Sequence, residues 1–185
     1  MGAFYANYMV KGADQNSIAR ALSGRKALVS PEQNGYIFVF DQESDNQDQH
    51  AIGKLAERLS TSLRCTVLTV LNQDSDILWY QLYEDGTLTD RYNSTPDYWS
   101  RKAEPAPPEG GDAKRLCAAF NCSDVPKVER ILRLSWKDYP DATDRHADLF
   151  RALDLPSLAV GYGFGAIAQG YFPEGLSAED LRSAN

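Results

Sequence analysis

The chain has two histidines and three cysteines, and this small set limits the nucleophilic chemistry that it could perform. His50 and His146 each lie near the start of a predicted helix, and a Ser–His or Cys–His site would have to use one of them. No serine or cysteine lies in a sequence that resembles a nucleophile elbow. We therefore predict no catalytic residues and favour a non-enzymatic protein.

The same residue types set the prospects for a metal site. Cys117 and Cys122 are close in sequence, with His146 farther on. A structural zinc site normally needs four ligands in paired short spacings, and only three candidate ligands are present here. The acidic loop Asp41–Asp48 lacks the glycine and the closing glutamate of a calcium-binding EF-hand loop. We predict no metal and no cofactor, and we interpret the acidic loop as a solvated charge run.

A glycine-rich segment, Gly161-Tyr-Gly-Phe-Gly165, invites comparison with nucleotide-binding loops. Its spacing differs from Gly-x-Gly-x-x-Gly, and it lacks the Lys-Ser/Thr pair of a phosphate-binding loop. Close packing of the segment against a sheet is the favoured interpretation. The alternative is a small-molecule-binding domain or an enzyme with few sequence signals, whose pocket lies between this segment and the sheet. Its lining would include Arg145, His146, Tyr162, Phe164 and Tyr171.

Nucleic-acid and membrane binding are disfavoured by charge and hydropathy. The net charge is −7 and the isoelectric point is about 4.8, so the surface repels phosphate backbones and anionic lipids. The stretch after His146 has a helix-turn-helix rhythm, but its second helix would carry three glycines and no base-reading side chain before Gln169. No run approaches the ~18 apolar residues of a membrane span. We predict neither partner.

The cellular compartment is predicted from the cysteine count and the first residues. Three cysteines cannot form a complete disulfide framework, which favours a reducing compartment. The first residues lack a basic segment followed by an apolar one. A cytoplasmic protein is therefore expected.

Aromatic residues supply the leading functional hypothesis. In the predicted strand Ile77–Tyr83, both faces carry apolar side chains, so a second layer must cover one face. That layer could be the C-terminal half of the chain or a partner, either another protein or a second copy of this chain. Aromatic side chains are common hot spots of interfaces. The candidate contact residues are Trp79, Tyr83, Tyr92 and Trp99.

The predicted elements of the first half alternate as strand, helix, strand, strand, helix, strand. This order is that of the ferredoxin-like split β-α-β plait, βαββαβ, here with two extra antiparallel strands. Asn34-Gly35 between two apolar runs predicts a type I′ hairpin. The predicted strands span residues 3–10, 26–30, 36–40, 65–71, 77–83 and 87–92, and the helices span 14–22 and 49–63.

The second half is predicted to be mainly helical. A Pro/Gly-rich linker over residues 100–112 would separate an α+β domain, residues 1–99, from a helical region, residues 113–185, packed on it. Ser157–Tyr171 fits either a helix or a loop, because its glycines oppose a helix that its flanks favour. The predicted helices span residues 112–120, 125–134 and 143–153, with a short one near 177–180.

Overall fold

Alternating β-branched and aromatic residues build one large antiparallel sheet. The structure is a computed structural model that describes residues 2–100 and 105–184. Within these ranges the sheet has eight strands in the order β7-β6-β5-β4-β1-β3-β2-β8, with all neighbours antiparallel. The strands are β1 Tyr5–Lys11, β2 Ala27–Val29, β3 Tyr36–Asp41, β4 Thr66–Gln73, β5 Ile77–Glu84, β6 Thr87–Asn93, β7 Glu109–Gly110 and β8 Arg182–Ser183.

Six α-helices in the described ranges complete the α+β architecture. The first five begin after an aspartate whose side chain accepts a hydrogen bond from a backbone N–H of the first turn, an N-cap worth about 1 kcal/mol. These caps are Asp14, Asp48, Asp112, Asp124 and Asp141. The helices are α1 Gln15–Ala21, α2 Gln49–Leu63, α3 Ala113–Phe120, α4 Val125–Arg133, α5 Ala142–Ala152 and α6 Phe164–Ala168.

The helices cover both faces of the sheet. On one face, α1 and α2 bury a core that includes Ile18, Ile52 and Leu59. On the other face, side chains from the C-terminal helices join Tyr80 and Leu82 of β5 in a second core. The second face of β5 is therefore covered by the C-terminal half of the same chain.

The predicted elements of the first half agree closely with the observed ones. Asn34 and Gly35 have φ values of 52° and 86°, as a type I′ hairpin requires, between β2 and β3. The helix predicted over 49–63 is α2 at the same bounds. The α+β class is confirmed, and the sheet is larger than predicted because two short strands extend its edges.

The sequence interpretation included neither β7 nor β8, so it is corrected at both edges of the sheet. The Pro/Gly-rich stretch was expected to lack strand structure, yet β7 pairs Glu109 with Asn93 and Gly110 with Tyr92. Residues 101–104 of that linker lie outside the described residues. Two-residue strands carry no period that a sequence pattern could reveal. The division into a domain 1–99, a linker 100–112 and a region 113–185 stays a prediction.

Most of the ambiguous segment Ser157–Tyr171 lies in turns and irregular loop. It contains only the short helix α6, which begins after Gly163. Near the end, Ser177 and Asp180 form a capping box around a 3₁₀ turn, Ala178–Asp180, where a short helix was expected.

Candidate functional site

Three of the four aromatic residues predicted as partner contacts lie inside the monomer. Trp79, Tyr83 and Tyr92 are exposed to 6%, 7% and 1%. Trp79 and Tyr83 belong to the core beneath α1 and α2, whereas Tyr92 stacks on Tyr80 in the opposite core at 5.3 Å between ring centroids. A docking surface made of an open sheet face is therefore not available in this fold.

Arg145 is a buried tie between the C-terminal layer and the sheet. Its guanidinium donates to the Tyr92 hydroxyl at 2.7 Å and to the carbonyl oxygens of Ile131 and Ser135 at 3.2 and 3.0 Å. It also lies over the Tyr139 ring, 4.7 Å from the centroid. These contacts occupy the cation with backbone and hydroxyl oxygens. No face of it is open to a ligand, because the residue is only 1% exposed.

His146 lies on α5 and is completely buried where this helix packs against Tyr5 of β1. Its Nδ1 lies 2.8 Å from the Tyr5 hydroxyl, and its ring meets Phe150 edge-on at 4.3 Å between centroids. Burial lowers the pKa of His146 to about 3, so the ring is neutral at physiological pH. Its Nε2 has no hydrogen-bond partner among the described residues. This environment fits a core histidine, since it offers no path to a substrate.

The glycine-rich segment packs closely against the sheet. The Asn7 side chain donates to the carbonyl oxygens of Ala159 and Tyr162 at 2.7 and 2.9 Å. The Asp45 carboxylate accepts from the amides of Phe164 and Gly165. A Cβ added at Gly163 would lie 2.7 Å from an Asp45 oxygen. The small-molecule pocket predicted here, with Tyr162 and Phe164 in its lining, therefore has little room at this contact.

The acidic loop is solvated only in part, because Glu43 and Asp48 are exposed whereas Asp41 is buried. Asp41 is 1% exposed and forms a forked ion pair with Arg25, with two N–O distances of 2.8 Å. Its second oxygen also accepts from Ser44, whose hydroxyl contacts Tyr8 at 2.6 Å. The loop therefore serves to anchor the end of β3. Across the ranges 2–100 and 105–184, no three His, Cys, Asp or Glu side chains cluster as metal ligands would.

Trp99 is the exception among the predicted contacts, because it is 73% exposed. Its ring meets Tyr98 edge-on at 4.9 Å between centroids. The Tyr98 hydroxyl donates to the Asp76 carboxylate at 2.8 Å, and this hydrogen bond raises the pKa of Tyr98. Tyr98 is thus held in place by Asp76, and it presents the indole of Trp99 to solvent.

A cleft of about 450 Å³ opens beside Trp99. It lies where α2 begins, β4 ends and β5 starts, and its lining combines amide, hydroxyl, imidazole and aromatic groups. Asp48 is its one carboxylate, and no described lining residue is a lysine or an arginine. The lining residues are Gln47, Asp48, Gln49, His50, Gln73, Ile77, Asn93, Thr95, Pro96, Tyr98 and Trp99.

Further exposed groups lie at the same end of the sheet. Phe4, just before β1, is 55% exposed. Because β1 and β6 are three strand spacings apart, the end of the sheet between Phe4 and the chain leaving β6 spans roughly 14 Å. The exposed carboxylates of Asp74 and Asp76 lie in the β4–β5 turn between them. We call Phe4, His50, Tyr98 and Trp99, with Asp48, Asp74 and Asp76, the aromatic edge.

No family model, curated protein or solved structure matches this chain. The chemistry of the aromatic edge and of the other cavities therefore carries the functional argument. No helix in the part of the chain that the structure describes is long and apolar enough to cross a bilayer.

Sequence reasoning found Trp99 but missed the rest of the aromatic edge. His50 was considered only as one of the two histidines available to a catalytic site, and it lies in the cleft with Trp99. Phe4 was assigned to the first strand, although the strand begins at Tyr5. The positions of the turn residues could have revealed this site, because antiparallel topology brings the start of β1, the β4–β5 turn and the end of β6 to the same end of the sheet.

Proposed function

We propose that this protein is a non-enzymatic interaction module that binds a basic segment of another protein at the aromatic edge. The observation that carries the proposal is the exposure of Trp99 in a chain that buries most of its other aromatic side chains. Tryptophan is among the residues most enriched at interface hot spots. Because Tyr98 holds the Trp99 indole in place, a partner side chain can bind to it without the entropic cost of first ordering the ring.

Charge selects the chemistry of the partner. The cleft has a carboxylate and no described cation in its lining, and Asp74 and Asp76 flank it. The chain as a whole carries a net charge of −7, which favours encounter with a basic partner. Arginine or lysine side chains would pair with these carboxylates and stack on the indole of Trp99.

Two finer structural assignments accompany the proposal. The inner strand order β4-β1-β3-β2, with α1 and α2 on one face, supports a ferredoxin-like plait to which the outer strands and the C-terminal layer are added. All three cysteines are free thiols, which supports a reducing, cytoplasmic location. In this plait the second face of the sheet is used for internal packing, which leaves the edge for a partner.

The proposal is tested with a hexa-arginine peptide, followed by the shift of the Trp99 indole N–H resonance. We expect saturable shifts at Trp99 and His50, and binding that weakens as salt is added. Trp99→Ala should weaken binding by about tenfold. Asp48→Asn removes a charge but keeps an N-cap, and with Asp76→Asn it should weaken binding further.

Matched controls separate the aromatic edge from general attraction to an acidic protein. Trp136→Ala removes a tryptophan that is 45% exposed elsewhere, and Glu32→Gln removes an exposed carboxylate on the β2–β3 hairpin. Both should leave the affinity within about twofold. An equal loss in Trp136→Ala and Trp99→Ala would refute the proposal. A dimer seen by light scattering and abolished by Trp99→Ala would instead make the partner a second copy of the chain.

A further inference from the structure

A second cavity has the opposite charge from the aromatic edge. It has a volume of about 670 Å³ and lies between α1 and β8, at the far edge of the sheet. Three of its residues lie on one face of α1, one lies in the turn that follows α1, and two come from β8. Its lining is Asn16, Ala19, Arg20, Ser23, Arg182 and Ser183. We call this cavity the α1–β8 groove.

Hydrogen-bond donors dominate the α1–β8 groove. Two guanidinium groups, two hydroxyls and one carboxamide line it, and no lining residue is an aspartate or a glutamate. Neither Arg20 nor Arg182 forms an ion pair with any residue that the structure describes. Arg20 makes one hydrogen bond, to the Ser17 hydroxyl at 3.1 Å. Most of the donors of both guanidiniums therefore remain available.

The nearby carboxylates are already engaged. Asp14 accepts from the backbone and the hydroxyl of Ser17, and Arg20 contributes only a minor part of the lowering of the Asp14 pKa. Asp180 accepts from the backbone and the hydroxyl of Ser177. These acids therefore do not neutralise the groove by direct pairing.

The free edge of β8 adds a backbone donor. Ser183 is opposite Leu28 and Arg182 is opposite Val29, while the Ala184 amide donates to the Ala27 carbonyl. Because hydrogen-bonded and non-hydrogen-bonded positions alternate along an antiparallel pair, the Ser183 N–H points away from β2. Ser183 is a lining residue of the groove, and no further strand of the described chain pairs with β8 on that side.

We propose that the α1–β8 groove binds a phosphorylated small molecule, a phosphomonoester or a diphosphate, between Arg20 and Arg182. Guanidinium groups bind phosphate oxygens in pairs, and hydroxyl and amide donors complete the shell. The volume lies within the range of small-molecule sites and exceeds that of an inorganic ion, so an organic part attached to the phosphate is expected. Two arginines are too few to hold a nucleic-acid backbone on an acidic protein.

Calorimetric titration of the whole chain with three probes tests this inference: inorganic phosphate, pyrophosphate and ribose 5-phosphate. We expect pyrophosphate or the sugar phosphate to bind with a Kd of about 1 mM or tighter, and inorganic phosphate to bind more weakly. Preference for the sugar phosphate identifies an ester as the ligand, and preference for pyrophosphate identifies a diphosphate. Arg20→Gln and Arg182→Gln should each weaken the binding about tenfold.

Arg58→Gln provides the matched control, because Arg58 is exposed on α2, outside the groove. It should leave the affinity within about twofold. Both groove arginines are exposed, so the variants are expected to fold, and circular dichroism checks this. Absence of binding by all three probes to the unaltered protein would overturn the inference. Equal weakening by Arg58→Gln, which would indicate general attraction to positive charge, would also overturn it.

Discussion

The two faces of the sheet are covered by different kinds of contact. Beneath α1 and α2 the core consists mainly of aliphatic and aromatic side chains, with Leu59 and Ile52 completely buried. Beneath the C-terminal helices, fully buried polar side chains such as Asn7, Arg145 and His146 cross between the layers. Hydrophobic contact is non-directional, whereas hydrogen bonds fix atoms against particular partners. Specific polar contacts therefore fix the C-terminal layer on the second face, whereas on the first face the contacts of Arg25, Asp41, Ser44 and Tyr8 lie at the end of β3.

The largest expected effect is loss of the Arg145 tie. Arg145→Ala leaves the oxygens of Ile131 and Ser135 and the Tyr92 hydroxyl without their donor, and it leaves a cavity. Together these should lower the free energy of unfolding by about 4 kcal/mol. Arg145→Lys should recover little of the loss, because an ammonium group cannot reproduce the planar arrangement of N–H donors in a guanidinium. Urea unfolding measures the stability of both variants. If Arg145→Ala lowered the free energy of unfolding by less than Leu59→Ala does, the apolar face would contribute more to stability than the polar face.

The apolar face is tested by Leu59→Ala in α2. Removing a completely buried leucine should cost about 3 kcal/mol, because both transfer energy and a cavity contribute. The cost should be the same at neutral and mildly acidic pH, since no titratable group is involved. A cost that changed with pH in urea unfolding would contradict the assignment of this face as the apolar one.

Acid should weaken the polar face through His146. Its folded pKa of about 3 lies below the ordinary histidine value of 6.5, so the unfolded chain takes up a proton first as pH falls. The stabilising effect is complete above about pH 6.5 and declines as pH falls towards 3, by about 2 kcal/mol at about pH 5. His146→Phe should remove this share of the pH dependence, whereas His50→Gln, at an exposed site, should retain it. An unchanged pH profile in His146→Phe would refute the prediction.

A smaller, local effect is expected from Asn7→Ala. The variant removes both hydrogen bonds to the carbonyl oxygens of Ala159 and Tyr162, which should cost about 1.5 kcal/mol. Amide hydrogen exchange should quicken at Gly163 and Gly165 more than in α2. Uniform quickening along the chain would show that the segment has no separate attachment to the sheet.

The smallest effect on stability is expected from Lys54→Ala. Lys54 and Glu57 form an exposed pair at 3.4 Å on α2. Such pairs contribute little, and we expect a change below about 0.5 kcal/mol in the free energy of unfolding. A larger loss would mean that the outer surface of α2 contributes to the apolar face.

The difference between the faces also explains what could be predicted from the sequence. The strands β4 to β6, the helix α2 and the hairpin at Asn34-Gly35 follow from local periodicity and turn chemistry. The apolar character of β5 on both faces correctly required a second layer. The burial of Arg145 and Asp41 could not be predicted from local pattern. The oxygens that accept from Arg145 belong to Tyr92, Ile131 and Ser135, and the guanidinium that pairs with Asp41 belongs to Arg25, so these contacts form only in the folded chain.

The candidate sites were predictable only in part. Trp99 stood out by residue type, whereas its cleft depends on elements that meet only in three dimensions. The α1–β8 groove depends on the pairing of Leu28 with Ser183, across most of the chain. A two-residue strand gives no periodic signal, so neither β8 nor the groove beside it could be inferred.

The pairing of β2 with β8 also sets the order in which the protein can finish folding. Ser183 is synthesised 155 residues after Leu28, an interval of about 8–30 s at ordinary translation rates. During that time the β2 edge of the nascent sheet has no β8 partner and can pair with another chain. Closure of this edge is therefore a late, long-range step, and the β2 edge stays open to mispairing until β8 is added.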